Sequence, residues 1–260
     1  MRLVAISDTH GVHRRVNLPA GDVLVHSGDL TLDGEGPVTL DFVDWFSEQP
    51  FEHKIFVAGN HDAWAENNSN YLRQYAMDKG VHYLENSSVV IDDVTFWGSP
   101  FTPRFMDWSF MLSTAVEASR HWKTMPDSVD VLVTHGPPFG ILDTLLAKNS
   151  SLDAANTDRP GKSSPDREHV GCNELFNRVR EVSPQLHLFG HIHEAFGEIE
   201  KWGTRFINTS SMNSDYQLTN QPRVIDLTKN TREASVAARN NNKTSANESS
   251  FDRPSIALDV

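Results

Sequence analysis

Apolar residues along the chain gather into short runs, and each run ends on polar side chains. "RLVAIS" stops at Asp8, "DVLVHS" at Gly28-Asp29, "KIFVA" at Gly59-Asn60-His61-Asp62, "DVLVT" at His135-Gly136 and "LHLF" at Gly190-His191. Runs this short and this rich in Val, Ile, Leu and Phe predict buried strands. Segments with helical spacing lie between them. "VTLDFVDWFSEQ" aligns Val38, Phe42, Trp45 and Phe46, and "CNELFNRVREV" aligns Leu175, Phe176, Val179 and Val182. The aromatics of the first helix read as core. Alternating strand and helix predicts an α/β domain with largely parallel pairing. "VHYLENSSVVIDDVTFWGS" and "FGEIEKWGTRFIN" read instead as hairpins, turning at Asp92-Asp93 and near Gly203, so a second, partly antiparallel sheet is expected.

Residues 148 to 169 are polar and contain Pro160, Gly161 and Pro165, which marks a long functional or disordered loop. From Thr231 onward no core pattern remains. The expected organisation is one domain over 1–230 and a polar, disordered tail over 231–260. The tail ends in "ALDV", a form that adds a strand to a PDZ-type groove. Cys172 is the one cysteine, which excludes an intramolecular disulfide and suits a reducing compartment. No apolar run approaches the roughly 20 residues of a membrane span, so a cytoplasmic protein without a membrane partner is expected. A net charge of −12 disfavours long nucleic acids. It does not disfavour a small phosphate ester at a site where metal ions supply the positive charge.

The polar clusters at the strand ends carry the chemistry. Ligands bind beyond the carboxyl ends of strands in α/β sheets. Asp8, His10, Asp29, Asn60, His61, His135, His191 and His193 together offer carboxylates, an amide oxygen and imidazoles. Mixed nitrogen and oxygen donors suit zinc, manganese or iron. Asp8 and His10, like His191 and His193, are two apart, which on extended chain sets both side chains on one side. The set exceeds the needs of one ion. Two ions about 3.5–4 Å apart, sharing a carboxylate, would use it.

These motifs, in this order, resemble the calcineurin-like metallophosphoesterase superfamily over about residues 1 to 228. "DVLVHSGDLT", "KIFVAGNHD", "VLVTHGPPFG", "VGCNELFNRV" and "LHLFGHIHEAFGEI" are similar to the metallophosphoesterase-domain-containing subgroup, which includes class III cyclic-nucleotide phosphodiesterase-like proteins. The resemblance implies a four-layer α-β-β-α sandwich of two mixed sheets flanked by helices. It implies that Asp8, His10 and His193 hold one metal, that Asn60, His135 and His191 hold a second, and that Asp29 bridges them. His61 then faces the substrate as the leaving-group acid, and Asp62 orients the site from behind. The implied cofactors are two ions of manganese, iron or zinc. The implied reaction is attack on a small phosphodiester, cyclic nucleotides first, by a hydroxide shared between the metals. Some relatives have glycine in place of His191, whereas this chain keeps histidine; the subgroup often has glutamate where this chain has Asp62. A phosphomonoesterase, a protein phosphatase and a non-catalytic metal-binding scaffold are the alternatives.

The remaining histidines and aromatics read more plainly. His26 and His187, inside apolar runs, are core histidines, and His13 belongs to a solvated loop. His53, His82 and His121 carry no signal. Trp97, Phe101 and Trp108 are packing residues near a substrate rim. Arg104 serves a phosphate or a surface salt bridge equally well. Cys172 is a buried small residue before a helix. A homodimer is compatible with all of this.

Overall fold

The computed structural model describes residues 1–146 and 167–228. The tail, its terminal motif and most of the long polar loop lie outside the described residues. A compact unit spans Met1–Asp226. Among the described residues no helix is long and apolar enough to cross a membrane.

Two sheets form the middle of the compact unit. The first contains β1 (Arg2–Ile6), β2 (Val23–Ser27), β3 (His53–Val57), β4 (His82–Tyr83) and β15 (Arg223–Asp226), ordered β15-β1-β2-β3-β4. Its strands are parallel except β15, which pairs antiparallel with β1. The second contains β5 (Ser87–Ile91), β6 (Val94–Ser99), β9 (Val131–Thr134), β12 (Leu186–Phe189), β13 (Gly197–Lys201) and β14 (Thr204–Asn208), ordered β13-β14-β12-β9-β6-β5. Its inner strands are parallel; β5 and β13 are antiparallel edges. Both hairpins read from the sequence are these edge pairs. Two short ribbons join β7 (Thr102–Pro103) to β8 (Met111–Leu112), and β10 (Thr144–Leu146) to β11 (Arg167–His169).

Burial explains why the strands read as they do. Every residue of β2, β9 and β12 is buried, because both faces of these strands are covered. The edge strands β5 and β13 alternate half-buried and exposed positions, with one face in water. Helices α1 (Gly36–Ser47), α2 (Ala63–Asn67) and α3 (Ser69–Asp78) accompany the first sheet; α4 (Ala115–Trp122) and α5 (Asn173–Val182) accompany the second. Phe42, Val43, Trp45 and Phe46 of α1 pack with Val4, Ile6, Leu24 and Phe56 of the first sheet. Leu175, Val179 and Val182 of α5 pack with Trp97, Leu132, Phe189 and Phe206 of the second. The alternate strand residues, such as Leu3 and Val25, or Val133 and Leu188, are equally buried and fill the space between the sheets. The architecture is the expected four-layer α-β-β-α sandwich of two mixed sheets flanked by helices.

The sheets meet at the strand ends that matter. Ser7, just past β1, bridges in parallel to Ser210, just past β14. Its N–H donates to the Thr209 carbonyl at 3.1 Å, and its carbonyl accepts from Ser211 N at 2.9 Å. The carboxyl ends of both sheets are thereby tied into one edge.

Close approach between the sheets also makes a prediction. A Cβ on Gly98 of β6 would stand 2.7 Å from Leu84 Cβ and 2.8 Å from Val57 Cγ1. Gly98→Ala is expected to lower unfolding stability in urea by about 1–3 kcal/mol through overpacking. Gly203→Ala, at an open turn with φ +77 and nothing within 4 Å, should cost only about 1 kcal/mol of backbone strain. Equal losses for both variants would mean that inter-sheet contact at Gly98 is not tight.

Candidate metal centre

Each sequence motif at a strand end delivers its side chains to the tied edge. Asp8 and His10 follow β1, Asp29 follows β2, Asn60 and His61 follow β3, His135 follows β9, and His191 and His193 follow β12. Among the described residues, three overlapping groups could hold a cation. They are Asp8, His10 and His193; His10, Asp29 and His61; and Asp29, His135 and His191. The ligand atoms within each group lie within 4.8 Å of one another. Asn60 joins the last group, its Oδ1 being 2.8 Å from His135 Nε2.

The expectation that Asp8 and His10 converge along extended chain is corrected here. Asp8 has φ 51, His10 φ 41, Asp29 φ 57 and His191 φ 68, all in the left-handed region. His193 starts a 3-10 turn, His193–Ala195. The side chains meet because the chain turns sharply after each strand, and not because of a two-residue pleat. Such backbone is sparsely populated for residues with a Cβ and collects at functional sites. Glycines beside these residues permit the close packing. A Cβ on Gly190 would collide with Asp8 Oδ2, and one on Gly59 with Asp29 Oδ1.

Hydrogen bonds fix which ring nitrogens face inward. His10 Nδ1 donates to the Thr31 carbonyl, His135 Nδ1 to the Ser27 carbonyl and His193 Nδ1 to the Asn213 carbonyl, each at 3.0 Å. His61 Nδ1 donates to the Leu32 carbonyl at 2.6 Å. A carbonyl only accepts, so Nδ1 carries the proton in all four rings. In the neutral form of each ring, Nε2 then presents a lone pair to the centre. His10 Nε2 and His193 Nε2 stand 3.3 Å apart, and His135 Nε2 faces the Asn60 oxygen. These are acceptors pointed at acceptors in a buried floor, a pattern that a cation between them relieves. On its own chemistry, the donor set fits metal ions.

The carboxylates set the charge. Burial would raise the pKa of Asp8, but the hydrogen bond and charge of His193 outweigh it and hold the carboxyl below its usual range. Burial likewise opposes ionisation of Asp29, and His135, His10 and His61 overcome it. For His135, burial disfavours the charged ring, yet Asp29 lifts its pKa to about 9. For the half-buried His191, loss of solvent around the ring and the nearby His135 push the pKa down to about 3. Asp62 is fully buried behind the floor. Its Oδ2 accepts from Leu30 N at 3.1 Å and Gly59 N at 2.8 Å; its Oδ1 accepts from Thr31 N and Thr31 Oγ1, each at 2.9 Å. Burial and the nearby Asp29 raise its pKa to about 7, against the pull of the backbone donors. It clasps the Asp29 and Asn60 loops and does not line the cleft.

Above the floor opens a cleft of about 450 Å³. Asp29, Asn60, His61, His191 and His193 reach it from below, and Arg104, Phe105, Met106, Trp108, His169 and Tyr216 form much of its rim. Trp108 stands edge-on to His61, ring centroids 3.9 Å apart. Arg104 pairs with Asp107 and reaches Ser113. Trp97 is buried against Trp122, and Phe101 packs on Phe110 and His121, so of these aromatics only Trp108 reaches the rim.

Several readings of single residues also resolve. His26 and His187 are fully buried core residues, bonded to Thr9 Oγ1 and Thr134 Oγ1. Cys172 caps α5, and burial pushes its thiol up to about 11. His13 is not in a solvated loop. It is buried in a 3-10 turn against Phe42 and Trp45, with Nε2 3.0 Å from Asp41 Oδ2, because that turn folds onto α1. Sequence reasoning missed Tyr216, whose ring lies 5.0 Å from both His10 and His193, and the pair Asp143 and His169.

Comparison with known proteins agrees with this geometry. The model of the calcineurin-like phosphoesterase family matches residues 1–195. The chain is 34% identical over 248 residues to metallophosphoesterase domain-containing protein 1 of Homo sapiens, covering 87% of this chain and 71% of that protein. It is 32% identical over 243 residues to UPF0046 protein K07C11.7 of Caenorhabditis elegans, covering 89% and 77%. The crystal structure of TT1561 of Thermus thermophilus superposes with a TM-score of 0.52 at 11% identity, over 80% of this chain and 88% of that one, a likeness of fold alone. With the family matched over most of its compact unit and donors for metal gathered at the strand ends, the chain belongs to the calcineurin-like phosphoesterases and is a metal-dependent phosphoester hydrolase.

Proposed function

We propose that the chain hydrolyses small phosphodiesters, with cyclic nucleotides the leading candidates, using two metal ions at the floor of the cleft. The observation that carries this reading is the orientation of Asp29. Its Oδ2 faces His10 Nε2 at 3.7 Å, and its Oδ1 faces His135 Nε2 at 3.3 Å. One carboxylate thus addresses two donor groups from its two oxygens. On one side Asp8, His10 and His193 complete a set; on the other Asn60, His135 and His191 do. Bound manganese, iron or zinc ions would supply positive charge for the phosphoryl oxygens and acidify a water.

The chain's own residues supply the rest. His61 presents Nε2 to the cleft, with Nδ1 anchored on Leu32 and the ring braced by Trp108. When Nε2 also carries a proton, a ring so held can give it to the departing oxygen. Asp62 keeps His61 and Asn60 in place by fixing the backbone on either side of the floor. Phe105, Trp108 and Tyr216 line the cleft and give aromatic surface for the organic part of a substrate, which suits a nucleobase.

Elemental analysis of the purified protein reconstituted with manganese should find two ions per chain. Asp29→Ala should retain at most one, and Asn60→Ala should lose ions on the His135 side alone. An Asp29→Ala protein that still holds two ions would overturn the shared-carboxylate reading. His61→Ala should slow turnover of alkyl leaving groups by about 10²–10⁴-fold, since they need a proton, and slow nitrophenolate release far less. Equal losses on both leaving groups would remove His61 from the acid role.

A further inference from the structure

One wall of the cleft carries a built polar pair that the phosphate chemistry leaves unused. Asp143 is fully buried just before β10. Its Oδ2 accepts from Gly140 N at 2.9 Å and Gly171 N at 3.0 Å, and its Oδ1 lies 2.7 Å from His169 Nδ1. Surrounded by donors, the carboxyl accepts from the ring, so His169 carries its proton on Nδ1. Gly171 has to be glycine for this. A Cβ there would stand 2.6 Å from the Pro138 carbonyl oxygen and 2.8 Å from Asp143 Oδ2. The antiparallel ribbon pairs Thr144 with His169, so backbone as well as side chain holds the pair in register. The His169 side chain is 46% exposed and lines the same cleft as the Arg104–Trp108 segment. Among the described residues its Nε2 has no hydrogen-bond partner.

A buried carboxylate that fixes the tautomer of an exposed ring leaves one acceptor nitrogen at a set place on the wall. We infer that His169 is a specificity-determining residue: its Nε2 accepts a hydrogen bond from an N–H or O–H on the organic group of the phosphate ester. Asp143 is the positioning residue that holds the ring by Nδ1–H and so fixes where Nε2 stands on the wall. The inference rests on the cleft being the site for the substrate's organic group. It selects, among phosphate esters, those with a donor beside the ring that the aromatic rim covers. Nucleosides meet this condition and simple aryl esters do not.

The test compares ligands with and without such a donor on the manganese-loaded full chain. Calorimetry should show adenosine monophosphate binding more tightly than inorganic phosphate. His169→Ala should weaken adenosine monophosphate about tenfold, the worth of one hydrogen bond, and leave phosphate within about twofold. Turnover of bis(p-nitrophenyl) phosphate, which has no donor, should fall far less than the affinity for adenosine monophosphate. His169→Gln, which keeps an acceptor, should recover part of the loss. Asp143→Asn should reproduce the selective loss, which a general loosening of the fold would not. Unchanged affinity for adenosine monophosphate in His169→Ala, or an equal loss for phosphate, would overturn the inference. Failure of the wild type to cleave any cyclic nucleotide would count against the phosphodiester reading alone. The ligand comparison decides His169 in either case.

Discussion

The site rests on one electrostatic constraint: several nitrogen lone pairs are forced toward each other in a floor that water barely reaches. His10, His61, His135 and His193 each commit Nδ1–H to a main-chain carbonyl. That leaves no freedom to rotate a donor inward. Neighbouring acceptors at 3.3 Å repel, and burial removes the solvent that would soften the repulsion. Asp8 and Asp29 add negative charge to the same space. Only a cation, whether proton or metal, satisfies such an arrangement. The raised pKa of His135 expresses this directly: Asp29 draws a proton onto a ring that burial alone would keep neutral. The same pull favours a metal ion, and the two compete for the same nitrogen.

Holding these groups together strains the backbone. Asp8, His10, Asp29 and His191 adopt left-handed conformations that cost about 1 kcal/mol or more each. The surroundings keep them there. Asp62 binds the loops after β2 and β3 through main-chain N–H groups of Leu30, Thr31 and Gly59. Asp8 accepts from the main-chain N–H of His191, which couples the first sheet to the second. Asn208 Nδ2 donates to the Ile192 carbonyl at 2.8 Å, steadying the turn that carries His191 and His193. Stability from the two hydrophobic layers is therefore spent at one edge, where packing alone would not produce these turns.

What could be read in advance follows from which forces act locally. Parallel strands covered on both faces must be apolar throughout, so β1, β2, β3, β9 and β12 stood out as runs. The hairpins were legible because Asp92, Asp93, Trp202 and Gly203 supply the positive φ their turns require. The metal donors were legible because each follows a strand end, where α/β topology delivers side chains to one edge. The turn geometry at Asp8 and His10 was not, since nothing in two-residue spacing separates a pleat from a left-handed turn. His13 was misread because its burial depends on α1, a partner distant in sequence. Tyr216 lies in the polar stretch "NSDYQ", and an aromatic ring among polar residues was its sole trace. The Asp143–His169 pair depends on the register of β10 with β11, a pairing across a long separation that no periodicity announces.

The placement of rim and floor separates two tasks that act at one phosphate. The floor residues follow strands buried on both faces, so displacing them would disturb both cores. The rim residues lie elsewhere: Arg104, Phe105, Met106 and Trp108 between β7 and β8, Tyr216 after β14, and His169 on the short ribbon. Phosphoryl groups are common to every phosphate ester, so the floor cannot distinguish one organic group from another. Discrimination has to arise from the rim, where one hydrogen bond or one ring contact is worth about 1 kcal/mol. Contacts of that size are too weak to fold the chain but large enough to rank substrates. A scaffold divided in this way can exchange rim residues at little cost to its stability, while a change at Asp29 alters the charge or the shape of the floor.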